Sequence, residues 1–367
     1  MTVPAEYSTR ARVAADGEGI GLDELGLAAR NHAMPLEALR YDVTPVGLHY
    51  VLTHYDMPAI DPRMWTLRVD GAVRTPLELD LAGLQARGAH KVPVTLECAG
   101  NGRALLQPRP VSQPWLTGAV GTAYWTGVPL TTLLAEAGVA PDAVDVVFTG
   151  ADRGVERGVE QFYQRGLSLA DALGPDVLVA YEMNDLALPV QHGYPARLIV
   201  PGWYGMAQVK WLQSITVTTT AFTGFQNAAA YRVKAAAGED GEPVTRIRPR
   251  ALMVPPGYPD FMSRTRFVDL GEHELTGRAW SGTGPVTAVE VSCDGGATWA
   301  AAEMFIPPLG DWTWRWWSWR WTVTEPGRYE LLARATDAAG NVQPVEAPWN
   351  VQGMANNMTQ RVVVIAR

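Results

Sequence analysis

The chain has 367 residues, which at roughly 150 residues per domain points to two domains with sizeable cores. Its 30 Lys and Arg against 38 Asp and Glu leave a net charge of −8, dispersed without long runs. That excludes an extended basic face for nucleic acid and obliges any anionic ligand to find local cations. No run approaches the roughly 18 apolar residues of a membrane span, and two cysteines, Cys98 and Cys293, rule out a disulfide framework, a CxxC pair and a CxxCH haem attachment.

The first thirty residues carry Arg10, Arg12, Asp16, Glu18, Asp23 and Glu24, which reads as no leader, so a cytoplasmic location is expected. From Trp65 to Lys210, β-like runs ("WTLRVDG", "VPVTLECAG", "VDVVFTG", "ARLIVPG", "ITVTTTAF") alternate with short helical ones ("DLAGLQAR", "LTTLLAEAG", "SLADALG"), which predicts a mixed α+β domain. Near Gly241 the helical period disappears and Gly, Pro and charge take over, placing the boundary between residues 1–240 and 241–367. Beyond it "HELTGRAWSG", "VTAVEVSCDGGATW", "WRWWSWRWTV", "GRYELLARATDAAG" and "RVVVIA" recur every dozen to twenty residues, the spacing of an immunoglobulin-like β-sandwich without its paired cysteines. Trp312, Trp314 and Trp316 alternate along the chain, as do Trp317, Trp319 and Trp321. A strand with a one-residue bulge would explain both runs, with packing or a subunit interface as their role.

"TLECAGNGR" is the most informative stretch. A strand delivers Cys98 to a small-residue loop, and Arg103 restores positive charge five residues later. Cations and loop N–H groups favour a thiolate, the soft ligand that a redox metal accepts; a small buried hydrophobe is the alternative role of a lone cysteine. A second cluster gathers His192, Arg197 and Lys210 among Gly193, Gly202 and Gly205, a setting that suits a phosphate. "FTGADRG" puts Asp152 just past a strand.

"TLECAGNGR", "AYEMND", "QHGYPARLIVPGWYGMAQVKW" and "EVSCDGGATW…ATDAAGNVQP…PWN", in this order across nearly all of the chain, resemble the sulfite oxidase family of molybdenum-cofactor enzymes. The resemblance implies a molybdopterin-binding α+β domain of the sulfite oxidase fold followed by an immunoglobulin-like dimerisation domain, and hence a possible homodimer. It implies that Cys98 ligates molybdenum beside the paired sulfurs of the pterin. The pterin and its phosphate would be held around Tyr50 to His54, by Asp152, His192 and Arg197, and by Gln208, Val209 and Lys210. Tyr231, in "NAAAYRVK", matches the family's active-site tyrosine, and Trp115 its pocket tryptophan. The implied activity is oxidation of sulfite to sulfate, with electrons passed to a separate acceptor.

The departures concern the substrate. Leu52, in "YVLTH", and Gln352, in "PWNVQG", stand where the family's sulfite oxidases carry arginine. Arg103 remains, and Arg109, in "LLQPRP", is an added cation that would compensate. Assimilatory nitrate reductases also lack charge at the second-domain position, so a molybdenum-dependent nitrate or sulfoxide reductase is the first alternative. A non-enzymatic binding protein with a structural Cys98 is the second. Cys293 is assigned no chemistry.

Overall fold

The computed structural model describes Pro4, Ser8 and residues 11–305 and 309–367. In its first half, one five-stranded sheet runs in the order Leu186–Ala187, Leu178–Met183, Val120–Pro129, His90–Glu97, with Arg197–Ile199 also paired to Leu178–Met183. The other runs Leu77–Leu79, Leu67–Gly71, Leu212–Thr218, Asp145–Glu156, Val159–Ser168. Its one parallel pairing sets Leu212–Thr218 beside Leu67–Gly71. Where α+β was expected, the molecule is mostly sheet with few helices. The longest α-helix, Leu22–Arg30, has nine residues, and Leu130–Ala137 stops at Gly138, whose φ of 70° ends the helical path. Short as it is, Leu130–Ala137 buries Leu130, Leu133, Leu134 and Ala137 at helical spacing, each leucine contributing about 1.5 to 3 kcal/mol of apolar transfer.

The second half pairs a four-stranded sheet (Arg250–Met253, Gly271–Trp280, Arg315–Val323, Glu303–Met304) with a six-stranded one built around Val362–Ala366, Gly327–Asp337 and Val286–Ser292. The tryptophan run differs from expectation. Arg315–Val323 pairs residue for residue with Gly271 to Ala279 of the neighbouring strand and has no bulge. Trp317 and Trp321 point into the core with Leu275 and Leu331, while Trp312 and Trp314 precede the strand. Their indole N–H groups donate to Asp176 Oδ2 (2.8 Å) and to the Asp42 carbonyl (2.9 Å), so they fasten the second half to the first. The larger core likewise joins Leu67, Phe148 and Ile215 with Ile247, Leu252 and Trp280. Cys293 sits in a bend just past the strand Val286–Ser292.

Candidate active site

The strand His90–Glu97 ends in a buried polar knot. The Glu97 carboxylate is 2.7 Å from Arg250 Nε and accepts from Asn101 Nδ2 (2.9 Å) and Trp280 Nε1 (2.8 Å). Cys98 follows immediately, its N–H bound to the Ala119 carbonyl and its carbonyl accepting from the Asn101 N–H. A Cβ on Gly100 would fall 2.8 Å from the Arg103 guanidinium carbon. The small-residue loop therefore exists so that this cation can fold back over the cysteine turn. Burial pushes the Cys98 thiol up, while the Gly100 N–H and Arg103 pull the other way; a bound metal would take the proton's place.

Arg103 is buried, and its donors go to the Gln352 carbonyl (2.7 Å), Ser112 Oγ (3.0 Å) and Met354 Sδ (3.3 Å). Among the described residues no carboxylate pairs with it, so its charge is available to an anion. Arg109 is different. Its guanidinium is buried against the Glu24 carboxylate and donates to the Gly19 carbonyl at 2.8 Å. The compensating role expected for it is corrected to clamping the N-terminal segment.

A cavity with about 680 Å³ of empty space, its open mouth included, lies beside Cys98. Tyr50, Leu52 and His54 form one wall, and Asp152, Gln208 and Tyr231 others. His192 comes from a 3-10 turn ended by Gly193 at φ 107°. Arg197 reaches back to the His192 carbonyl (2.9 Å) and the Gln208 carbonyl (3.2 Å), lying 4.8 Å over the Trp125 ring. Lys210 Nζ donates to the Leu52 and Gln191 carbonyls, both at 2.8 Å. Asp152 lies within the strand Asp145–Glu156, not past it, at the register irregularity between Thr149 and Arg153. There a Cβ on Gly150 would come within 2.4 Å of Asp152 Oδ1. Val209 does not join them: its side chain is packed in the core, and its backbone bonds Leu198 and Ala207. Gln208 lines the cavity but spends its amide on Val200 and Trp203.

Desolvation dominates the electrostatics. It lowers Lys210 to about 7, Arg197 to about 10 and His192 to about 2, and raises Asp152 to about 6. The Tyr50 and Tyr231 phenols are pushed up and stay protonated. His192 Nε2, Asp152 Oδ1 and Arg197 Nε are buried with no hydrogen-bond partner among the described residues. Such orphaned polar atoms on one cavity wall call for a polar guest. Among the described residues no three His, Cys, Asp or Glu side chains converge to hold a metal ion. A metal on Cys98 would therefore draw its remaining ligands from that guest. An organic chelator bearing a phosphate, with sulfur donors for a soft redox metal, fits the residues present.

Cys98, Leu52, His54 and Tyr231 also line a second, outer cavity that holds Arg103, Trp115 and Gln352. Three participants were not singled out from sequence. His49 stacks on Tyr50 and meets His192 edge-on. Tyr163 donates to the Met206 carbonyl at 2.8 Å. Glu156 takes hydrogen bonds from His54 (3.1 Å) and Tyr55 (3.2 Å). Only His49, directly before Tyr50, had a sequence signal in its position.

Residues 54–226 match the oxidoreductase molybdopterin binding domain, and residues 258–367 the Mo-co oxidoreductase dimerisation domain. Sulfite oxidase of Gallus gallus is 36% identical over 350 residues, covering 87% of this chain and 72% of that one. The chain belongs to the sulfite oxidase family. It is accordingly a molybdenum-dependent oxidoreductase, and its cofactor is molybdenum-molybdopterin. An NADH nitrate reductase of Solanum lycopersicum is 33% identical over 90% of this chain, which spans 40% of that enzyme's length. The crystal structure of the sulfane dehydrogenase SoxCD from Paracoccus pantotrophus superposes with a TM-score of 0.77 at 25% identity, covering 98% of this chain and 93% of that one.

Proposed function

We propose that this enzyme oxidises sulfite to sulfate and passes two electrons to a separate acceptor. The observation that carries the reading is Arg103, a buried cation beside the cysteine with no carboxylate partner among the described residues. When bound, the molybdenum cofactor supplies oxygen-atom transfer and the two-electron redox change. Cys98 would hold its metal, while His192, Arg197, Lys210 and Asp152 would meet the pterin and its phosphate with charge and unpaired polar atoms. Arg103 binds and orients the anion. Tyr231, protonated and on the wall shared by both cavities, donates a hydrogen bond toward it. Buried Trp115 and Leu52 both line the outer cavity and give it apolar surface. The second half is proposed to be an immunoglobulin-like sandwich through which two copies pair, which the match to a dimerisation domain supports.

The test is an assay of the cofactor-loaded chain. Sulfite-dependent reduction of ferricyanide is expected. Oxidation of a reduced viologen by nitrate or methionine sulfoxide, with no sulfite turnover, would overturn the reading in favour of a reductase.

A further inference from the structure

The outer cavity is a poor match to a small dianion alone. It spans about 2420 Å³ including its open mouth and reaches from Cys98 and Arg103 out to the helix Leu22–Arg30. Arg103 is the buried cation in its depth. The other cations around it are engaged nearer the mouth. Arg12 pairs with Glu18, Arg30 with Asp56 and the Tyr55 carbonyl, and Arg157 lies over the Phe225 ring. The lining between Arg103 and the mouth is mixed: Leu52, Trp115, Met354, Pro110 and Leu27 supply an apolar strip, beside the acids Asp23, Glu24 and Glu156, the polar Ser112 and Gln113, and Gln352, whose amide oxygen has no partner among the described residues. One buried cation beside an apolar strip, with acids among the rest of the lining, favours a single negative charge carrying an apolar substituent. A second charge would be desolvated without compensation.

We infer that the pocket accepts organic sulfinates, R–SO2⁻ with R a small alkyl or aryl group, and oxidises them to sulfonates. This rests on the sulfur-oxyanion reading above and names a wider substrate class for the same site. The reaction is R–SO2⁻ + H2O → R–SO3⁻ + 2 H⁺ + 2 e⁻. One S–O bond forms with oxygen from water, two O–H bonds break, sulfur is oxidised and no C–S bond is touched. The electrons go to a one-electron acceptor, ferricyanide in the assay. The sulfinate group would lie against Arg103 and R against Leu52, Trp115 and Leu27, where each buried methylene adds apolar transfer free energy.

The experiment compares sulfite, methanesulfinate and benzenesulfinate with the cofactor-loaded full chain and ferricyanide. Benzenesulfinate is expected to show a kcat/KM at least equal to that of sulfite. Leu52→Arg is expected to shift the sulfite-to-benzenesulfinate ratio at least tenfold toward sulfite. Leu27→Asp, on the exposed helix, is expected to lower kcat/KM for benzenesulfinate at least tenfold relative to methanesulfinate. Calorimetric titration gives a readout besides turnover, with benzenesulfonate binding at least tenfold more tightly than sulfate. Normal sulfite turnover with benzenesulfinate a hundredfold poorer would overturn this inference and leave the sulfite reading standing. Oxidation of none of the three would overturn both.

Discussion

Two arginines of similar sequence setting illustrate what decides a residue's role. Arg103 and Arg109 both follow Cys98 closely, but among the described residues Arg103 has no acidic partner while Arg109 is neutralised by Glu24. Arg103→Gln should therefore lower kcat/KM by about tenfold to a hundredfold, since a hydrogen bond from a charged donor is worth about 1.5 to 3 kcal/mol. Steady-state kinetics with unchanged circular dichroism would show it. Lys210 adds a pH dependence. Desolvation holds its amine at about 7, so it loses its charge as pH rises through that value, and Asp152, raised to about 6, gains negative charge over a nearby range. Both changes weaken anion binding in the same direction. Inorganic phosphate should bind the cofactor-free chain more weakly at pH 8 than at pH 6 by calorimetry. Lys210→Met should bind it weakly at both and keep only the smaller change contributed by Asp152. For stability the sign is opposite: the folded chain holds fewer protons on Lys210 than the unfolded chain between about pH 7 and the ordinary lysine range, so this residue favours folding more as pH rises there.

At the scale of elements, the cysteine loop is held by the strand before it. Glu97, Asn101, Arg250 and Trp280 tie the end of His90–Glu97 to the second half of the chain, with both charges almost fully buried. Removing one partner of such a pair costs about 3 to 5 kcal/mol. Glu97→Gln should lower the denaturant midpoint accordingly, whereas Glu303→Gln, on a surface strand, should not. The strands in which apolar and polar residues alternate, such as Leu67–Gly71 and Leu212–Thr218, were legible from sequence. Val120–Pro129 and Val159–Ser168 were not, because "VGTAYWTGVP" and "VEQFYQRGLS" mix glycine and polar residues into positions that the sheet buries on both faces or pairs at an edge. The tryptophan run was misread for a related reason. Alternation along a sequence does not say where a strand begins, and here it begins at Arg315, so that Trp312 and Trp314 belong to the preceding turn.

For the whole molecule, the pterin-side residues His192, Arg197 and Lys210 were readable because a single glycine-broken segment carries them. Their convergence with Tyr50, His54 and Asp152 depends on long-range pairing that no local pattern encodes. That is also why Glu156 and Tyr163 escaped notice: they face the cavity only because Asp145–Glu156 and Val159–Ser168 fold back on each other. The match of residues 258–367 to a dimerisation domain makes association testable. Sedimentation should give twice the chain mass at micromolar concentration, and a monomer at all concentrations would contradict the proposed pairing. The central claim is that Cys98 binds the metal, and molybdenum X-ray absorption of the cofactor-loaded chain tests it most directly. Wild type should show one more sulfur neighbour around molybdenum than Cys98→Ser. Identical sulfur shells in the two proteins would contradict the claim.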